Sequence, residues 1–119
     1  MTTVARTLAG AAERFGPRPA LVPDGGAPVS YTELDRRAGA IAAGLRALGL
    51  DEGAVVALDL PSDTAWVAAY AGVSRIGAVA AGVNPRLTPA ERAALLERLD
   101  PDLVLDPSAL PEAEARGAC

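Results

Sequence analysis

The hydrophobic positions of the chain recur at helical spacing in four segments. The first runs from Val4 to Phe15 and is followed by Gly16-Pro17, which is typical of a helix end. The second follows the capping sequence Ser30-Tyr31-Thr32-Glu33, and its apolar stripe ends before Gly49. The other two segments have their stripes at Trp66, Ala69, Tyr70, Val73 and Ile76, and at Ala94 or Leu95, Leu96 and Leu99. Each stripe predicts a helix with one buried face.

Between these helices lie three short, nearly continuous apolar runs: 55–60, 78–83 and 103–105. Such runs are typical of strands that are covered on both faces. Strand, helix, strand, helix, strand in about 50 residues predicts a parallel βαβαβ sheet with two right-handed crossovers. Upstream, Asp24-Gly25-Gly26 separates two short extended pieces and predicts a small hairpin. We therefore expect an α/β fold with flanking helices and an N-terminal hairpin.

Composition excludes several kinds of chemistry. The 119 residues have a net charge of −4, which argues against nucleic acid as a partner. All 11 basic residues are arginine and histidine is absent, so the printed sequence has no Walker-A lysine, Schiff-base lysine or histidine base. The single cysteine, Cys119, cannot form an intramolecular disulfide. No secretory leader or membrane span is visible, and a cytoplasmic location is expected.

One loop is a candidate binding site. Asn84-Pro85-Arg86-Leu87 follows the second apolar run and precedes a second capping box, Thr88-Pro89-Ala90-Glu91. Open α/β sheets bind ligands beyond the carboxyl ends of their strands. Asn84 and Arg86 are thus the candidate binding residues, and the alternative is that the loop only leads into a helix. The acidic pair Asp100 and Asp102 falls in a turn and gives no sign of catalysis.

Several segments together resemble the N-terminal region of the adenylate-forming enzymes, which include acyl-CoA synthetases, aryl-CoA ligases and the adenylation domains of peptide synthetases. Their order and spacing over residues 4–106 carry the resemblance. The resembling segments are Arg18-Pro19-Ala20-Leu21-Val22, Val29 to Ala38, Ala42 to Leu50, Gly53 to Pro61, Tyr70 to Gly77, and Gly77 to Glu91.

The resemblance implies an AMP-forming ligase that joins a carboxylate to AMP and then to the thiol of CoA. ATP, Mg²⁺ and CoA are the implied cofactors of the full-length enzyme, and none is expected to be bound by this chain alone. The family's phosphate loop and catalytic lysine have no counterpart here, so we expect no catalytic residue and no activity from the chain by itself. By the same resemblance, Arg86 and Asn84 are expected to face the acyl and CoA side of the active site, Arg86 as a partner of a phosphate or carboxylate.

Residues 1–106 are expected to form an N-terminal subdomain segment, and 107–119 a short helix or a disordered tail. The leading interpretation is an N-terminal fragment of an acyl-CoA synthetase. A subunit of a split enzyme, completed by a second chain, and a non-catalytic interaction module are the alternatives. An unfinished sheet also predicts self-association or a complementing partner chain.

Overall fold

The computed structural model describes residues 3–22, 27–61 and 63–118. Helices and strands alternate along most of these residues. The helices are α1 (Thr3–Phe15), α2 (Tyr31–Ala47), α3 (Thr64–Arg75), α4 (Pro89–Leu99) and α5 (Ala109–Ala118), and the strands are β1 (Pro19–Leu21), β2 (Val29–Ser30), β3 (Val55–Leu58), β4 (Val79–Gly82) and β5 (Leu103–Leu105).

The expected parallel sheet is confirmed. Its strand order is β4-β3-β5, with β3 paired in parallel to both neighbours. Helix α3 connects β3 to β4, and α4 connects β4 to β5 in the opposite direction across the sheet. Because such crossovers are right-handed, α3 and α4 lie on opposite faces. The antiparallel pairing of β1 with β2 confirms the hairpin, whose predicted turn at Asp24-Gly25-Gly26 lies outside the described residues.

The core lies between one face of this sheet and three helices, α2, α3 and α5. The large side chains that it buries completely are aliphatic: Ile41, Leu45, Leu58, Leu105, Val56 and Val73. Small residues then let the helices approach closely. A methyl group added at Gly72 in α3 would lie 2.7 Å from the side chain of Ile41 in α2, so this glycine is required by the packing of the two helices.

Two predictions of burial are wrong. Helix α4 contains no buried residue, and the leucines of its predicted stripe are only half-buried. Strand β4 was expected to be covered on both faces, but Val79 is 53% exposed because β4 forms an edge of the described sheet. In both cases the face opposite the main core has little to pack against in the described part of the chain.

After residue 106, Ala109–Ala118 form helix α5, and a short helix was one of the two alternatives for this segment. In α5, Leu110 and Ala113 are buried in the core. Glu114 accepts a hydrogen bond of 2.9 Å from Arg37 of α2. The α5 segment therefore packs against the same core as the preceding elements.

Both predicted helix caps form, although one is incomplete. The Ser30 hydroxyl accepts a hydrogen bond from the Glu33 amide at 3.1 Å, but the Glu33 carboxylate pairs with Arg36 and does not complete a box. At Thr88 both halves of the capping box are present. The caps fix where α2 and α4 begin, and the start of α4 lies directly after the candidate loop.

Candidate functional site

The carboxyl ends of the three parallel strands border one open groove of about 710 Å³. The residues that follow β3, β4 and β5 line it: Asp59, Leu60, Pro61, Asn84, Pro85, Arg86 and Pro107. Three of these seven are prolines, which restrict the backbone of the surrounding loops. The groove therefore has a comparatively rigid lining and brings both predicted binding residues to the expected edge of the sheet.

Asn84 organises the loop that carries Arg86. Its side-chain oxygen accepts a hydrogen bond from the Arg86 amide at 2.9 Å, and its backbone carbonyl accepts one from the Leu87 amide at 3.2 Å. This arrangement is an Asx turn combined with a β-turn. Asn84 thus shapes the turn, and Arg86 lies exposed beside the groove.

The beginning of α4 already holds a negative charge. The Glu91 carboxylate accepts a hydrogen bond of 3.0 Å from the Thr88 amide, and hydrogen bonds to Thr88 lower the pKa of Glu91 below its usual value. A carboxylate at this end of a helix also interacts favourably with the helix dipole. Because Glu91 already interacts with this end of the helix, the main attraction for an anion in the groove would have to come from Arg86.

An ion pair that the sequence did not reveal lies next to the groove. Asp59, the residue after β3, accepts hydrogen bonds from the guanidinium of Arg92 in α4, and the Nε–Oδ2 distance is 2.8 Å. The hydrogen bond and the charge of Asp59 raise the pKa of Arg92. The only hint in the sequence is a cation in the first turn of a helix, where the dipole disfavours it.

The acidic pair near residue 100 has structural roles. Asp102 accepts a hydrogen bond of 2.7 Å from the Val55 amide, which extends the contact between β3 and β5. Asp100 ends α4. Among residues 3–22, 27–61 and 63–118, no three aspartate, glutamate, histidine or cysteine side chains are grouped closely enough to hold a metal ion.

Strand order, crossovers and the groove define a class of protein, a parallel α/β domain whose ligand edge lies at the carboxyl ends of the strands. The particular family follows from sequence. The family profile described as AMP-binding enzyme matches residues 8–118, and this chain belongs to that family. The resemblance seen in the sequence segments is confirmed.

Several curated relatives are CoA ligases. The chain is 38% identical over 80 residues to 4-coumarate-CoA ligase 1 of Narcissus pseudonarcissus, a match that covers 66% of this chain and 14% of the relative. It is 40% identical over 87 residues to a long-chain-fatty-acid–CoA ligase of Thermus thermophilus, covering 72% of this chain and 16% of that protein. The matched region is therefore about a seventh of the length of these relatives.

A solved structure agrees with the fold. The N-terminal domain of FACL13 from Mycobacterium tuberculosis superposes with a TM-score of 0.82 at 26% identity, and the match covers 97% of this chain and 29% of that one. The fold is therefore that of a part of the N-terminal domain of adenylate-forming ligases. Within the part of the chain that the structure describes, no helix has both the length and the apolar character to span a bilayer.

Proposed function

We propose that this chain supplies the N-terminal part of an AMP-forming acyl-CoA ligase. The reaction joins a carboxylate to ATP, giving an acyl adenylate and pyrophosphate, and then transfers the acyl group to the thiol of CoA with release of AMP. The observation that carries the proposal is the family match over residues 8–118, and the CoA-ligase relatives support it. A cytoplasmic location and a requirement for Mg²⁺ remain predictions.

The described residues do not fit a complete ATP or Mg²⁺ site. The groove has one exposed cation, Arg86, and its one carboxylate, Asp59, is paired with Arg92. Binding of a triphosphate normally uses several backbone amides and a lysine, and Mg²⁺ needs oxygen ligands that converge. We therefore propose that the chain alone does not adenylate, and that nucleotide and metal are held by other parts of the assembled enzyme.

The proposed contribution of the groove is to bind an anionic group of a substrate. Arg86 is exposed beside the carboxyl edge of the sheet on a turn that Asn84 fixes. Its guanidinium offers five donors in a planar arrangement suited to phosphate or carboxylate. We assign Arg86 to the acyl and CoA side of the active site, as a partner of a phosphate of CoA or of the substrate carboxylate.

Pyrophosphate exchange tests the central proposal. The purified 119-residue chain should give no ATP–pyrophosphate exchange with any carboxylate. A chimera of the T. thermophilus ligase, with its aligned segment replaced by this chain, should exchange well above that background with a long-chain fatty acid. Exchange by the chain alone, or a folded chimera that is inactive, would contradict the proposal.

The same chimera tests the groove. Replacing Arg86 with alanine should raise one KM about ten-fold, because one charge-assisted contact is lost. If Arg86 binds a phosphate of CoA, the KM for CoA rises and the adenylation half-reaction is nearly unchanged; if it binds the substrate carboxylate, the KM for the carboxylate in adenylation rises. Arg98→Ala, on the exposed surface of α4, is the matched control. Equal kinetics for the two variants would remove Arg86 from the site.

A split enzyme is the second candidate, because β4 and α4 leave surface that a complementing chain would cover. The adjacent coding sequence distinguishes the candidates. A separate gene for the remaining ligase segments would favour a two-chain enzyme, and an in-phase continuation after a frameshift would favour a fragment. The absence of both features would favour a non-catalytic interaction module.

A further inference from the structure

The position of Arg92 is not explained by the stability of its own helix. Arg92 is the fourth residue of α4, and its amide donates the hydrogen bond of 2.9 Å to the Thr88 carbonyl with which the helix begins. A positive side chain in the first turn opposes the helix dipole. The position is explained by Asp59, the residue after β3. Both Nε and a terminal nitrogen of the Arg92 guanidinium contact the same oxygen of Asp59.

Asp59 is itself held in place by the sheet. Its amide donates a hydrogen bond of 2.9 Å to the Leu105 carbonyl at the end of β5. Its side chain is 20% exposed, so solvent screens its charge only in part. Asp106, which follows β5, adds to the negative potential around Arg92. Arg92 therefore contacts a carboxylate that is held in place at the junction of β3 and β5.

The loop that carries Arg86 is attached at both ends to consecutive residues of this junction. At its beginning, the amide of buried Val83 donates to the Leu58 carbonyl at 3.0 Å. At its other end, Arg92 pairs with Asp59. Because α4 has no buried residue, packing alone holds this end of the loop weakly. The ion pair is the polar contact that closes the segment onto the sheet.

We propose that Asp59 and Arg92 are a positioning pair, which holds the first turn of α4 and thereby the Asn84–Arg86 turn against the groove. The pairing also neutralises the one carboxylate of the groove lining, so that Arg86 offers an anionic group an attraction that Asp59 does not oppose. The statement about the charge of the groove rests on the proposed function. The positioning role concerns the chain alone.

Amide hydrogen exchange of the full 119-residue chain tests the pair. In Arg92→Gln and in Asp59→Asn, amides of residues 84–96 should exchange about two- to five-fold faster, as expected for loss of a partly exposed ion pair. Amides of α2 and α3 should keep their rates. The double variant should be no faster than either single variant, since the two residues act as one contact.

Two further variants complete the design. Arg98→Gln removes a charge from the exposed side of the same helix and should leave exchange unchanged, and Arg92→Lys should restore part of the protection. The positioning role would be overturned if residues 84–96 of Arg92→Gln and Asp59→Asn exchanged no faster than those of Arg98→Gln. It would also be overturned if exchange in these two variants became faster throughout the chain. This measurement needs no substrate, so its failure leaves the ligase proposal standing, and an inactive chimera leaves the positioning pair standing.

Discussion

Asp100, at which α4 ends, has both a backbone conformation and a charge that are unfavourable at that position. It closes α4 in the left-handed conformation, with φ 45° and ψ 59°. It is exposed, and a negative charge at a helix C-terminus is unfavourable. Glycine adopts this conformation without a steric cost, and helices commonly end at such a glycine.

Asp100→Gly should therefore stabilise the chain by about 0.5–1 kcal/mol, because both the steric and the electrostatic cost disappear. The measurement is the midpoint of urea unfolding. Asp102→Gly is the matched control and should destabilise, since Asp102 accepts the hydrogen bond from the Val55 amide. A lower midpoint for Asp100→Gly would show that the side chain has a favourable role that its geometry does not reveal.

The lowered pKa of Glu91 predicts that the free energy of unfolding depends on pH. Hydrogen bonds to Thr88 lower its pKa in the folded chain below the usual 4.5. Its stabilising effect is thus fully present above pH 4.5 and is lost as the pH falls through the lower folded-state pKa. Glu91→Gln keeps an oxygen acceptor without the charge. The variant should be less stable than the wild type at pH 7, and this difference in the free energy of unfolding, measured with urea, should shrink as the pH falls below 4.5. A difference that stays constant with pH would contradict this.

At the scale of residues, the sequence reveals contacts that are local. The caps at Ser30 and Thr88 were predictable because donor and acceptor are three residues apart. The Asn84 turn has the same origin. The pair Asp59–Arg92 joins residues 33 positions apart, and it depends on how the crossover brings α4 back over β3. No local pattern contains that information.

Among the elements, α2 and α5 lie so close together that glycines are needed on both sides of the contact. A methyl group added at Gly44 would lie 1.8 Å from the Ala113 carbonyl oxygen, and one added at Gly117 would lie 1.7 Å from that of Ala40. The helices meet through backbone rather than large side chains. The apolar stripe of the C-terminal segment is weak for this reason, and the sequence left helix and disordered tail as alternatives.

Gly44→Ala should destabilise the chain by about 2–3 kcal/mol, because the added methyl group must push α5 away from α2. Gly10→Ala is the control. Gly10 is an exposed residue of α1 with no atom within 4 Å of an added methyl group, and alanine there should be neutral or stabilising by about 0.5–1 kcal/mol. Thermal unfolding of both variants checks this. Equal melting temperatures would mean that α5 does not pack closely in solution.

The elements whose burial was predicted wrongly share one physical cause. Helix α4 has an apolar stripe on one face and strand β4 is a nearly continuous apolar run, and neither pattern records which neighbour covers it. Both lie where the described sheet has little to pack against: α4 on the face opposite the main core, β4 at the edge. Strand order, and therefore the identity of the edge strand, depends on the direction in which each crossover moves across the sheet and not on local composition.

For the whole molecule, the described sheet has a well-packed face and a sparsely covered one. On the packed side, α2, α3 and α5 bury the aliphatic core. On the other, α4 buries no residue, and Val79 of β4 is 53% exposed. The curated relatives are several times longer than the region they share with this chain. An exposed strand edge with apolar residues is a surface on which further strands or chains pair.

The isolated chain should therefore self-associate through β4, in a concentration-dependent way that light scattering detects. Val79→Lys places a charge on this edge and should shift the chain towards monomer, because edge lysines oppose strand pairing. Val22→Lys is the matched control: Val22 is 71% exposed but lies after β1, away from the parallel sheet, and its replacement should leave association unchanged. A wild-type chain that stays monomeric at every concentration, or equal association of the two variants, would show that the β4 edge is protected in another way.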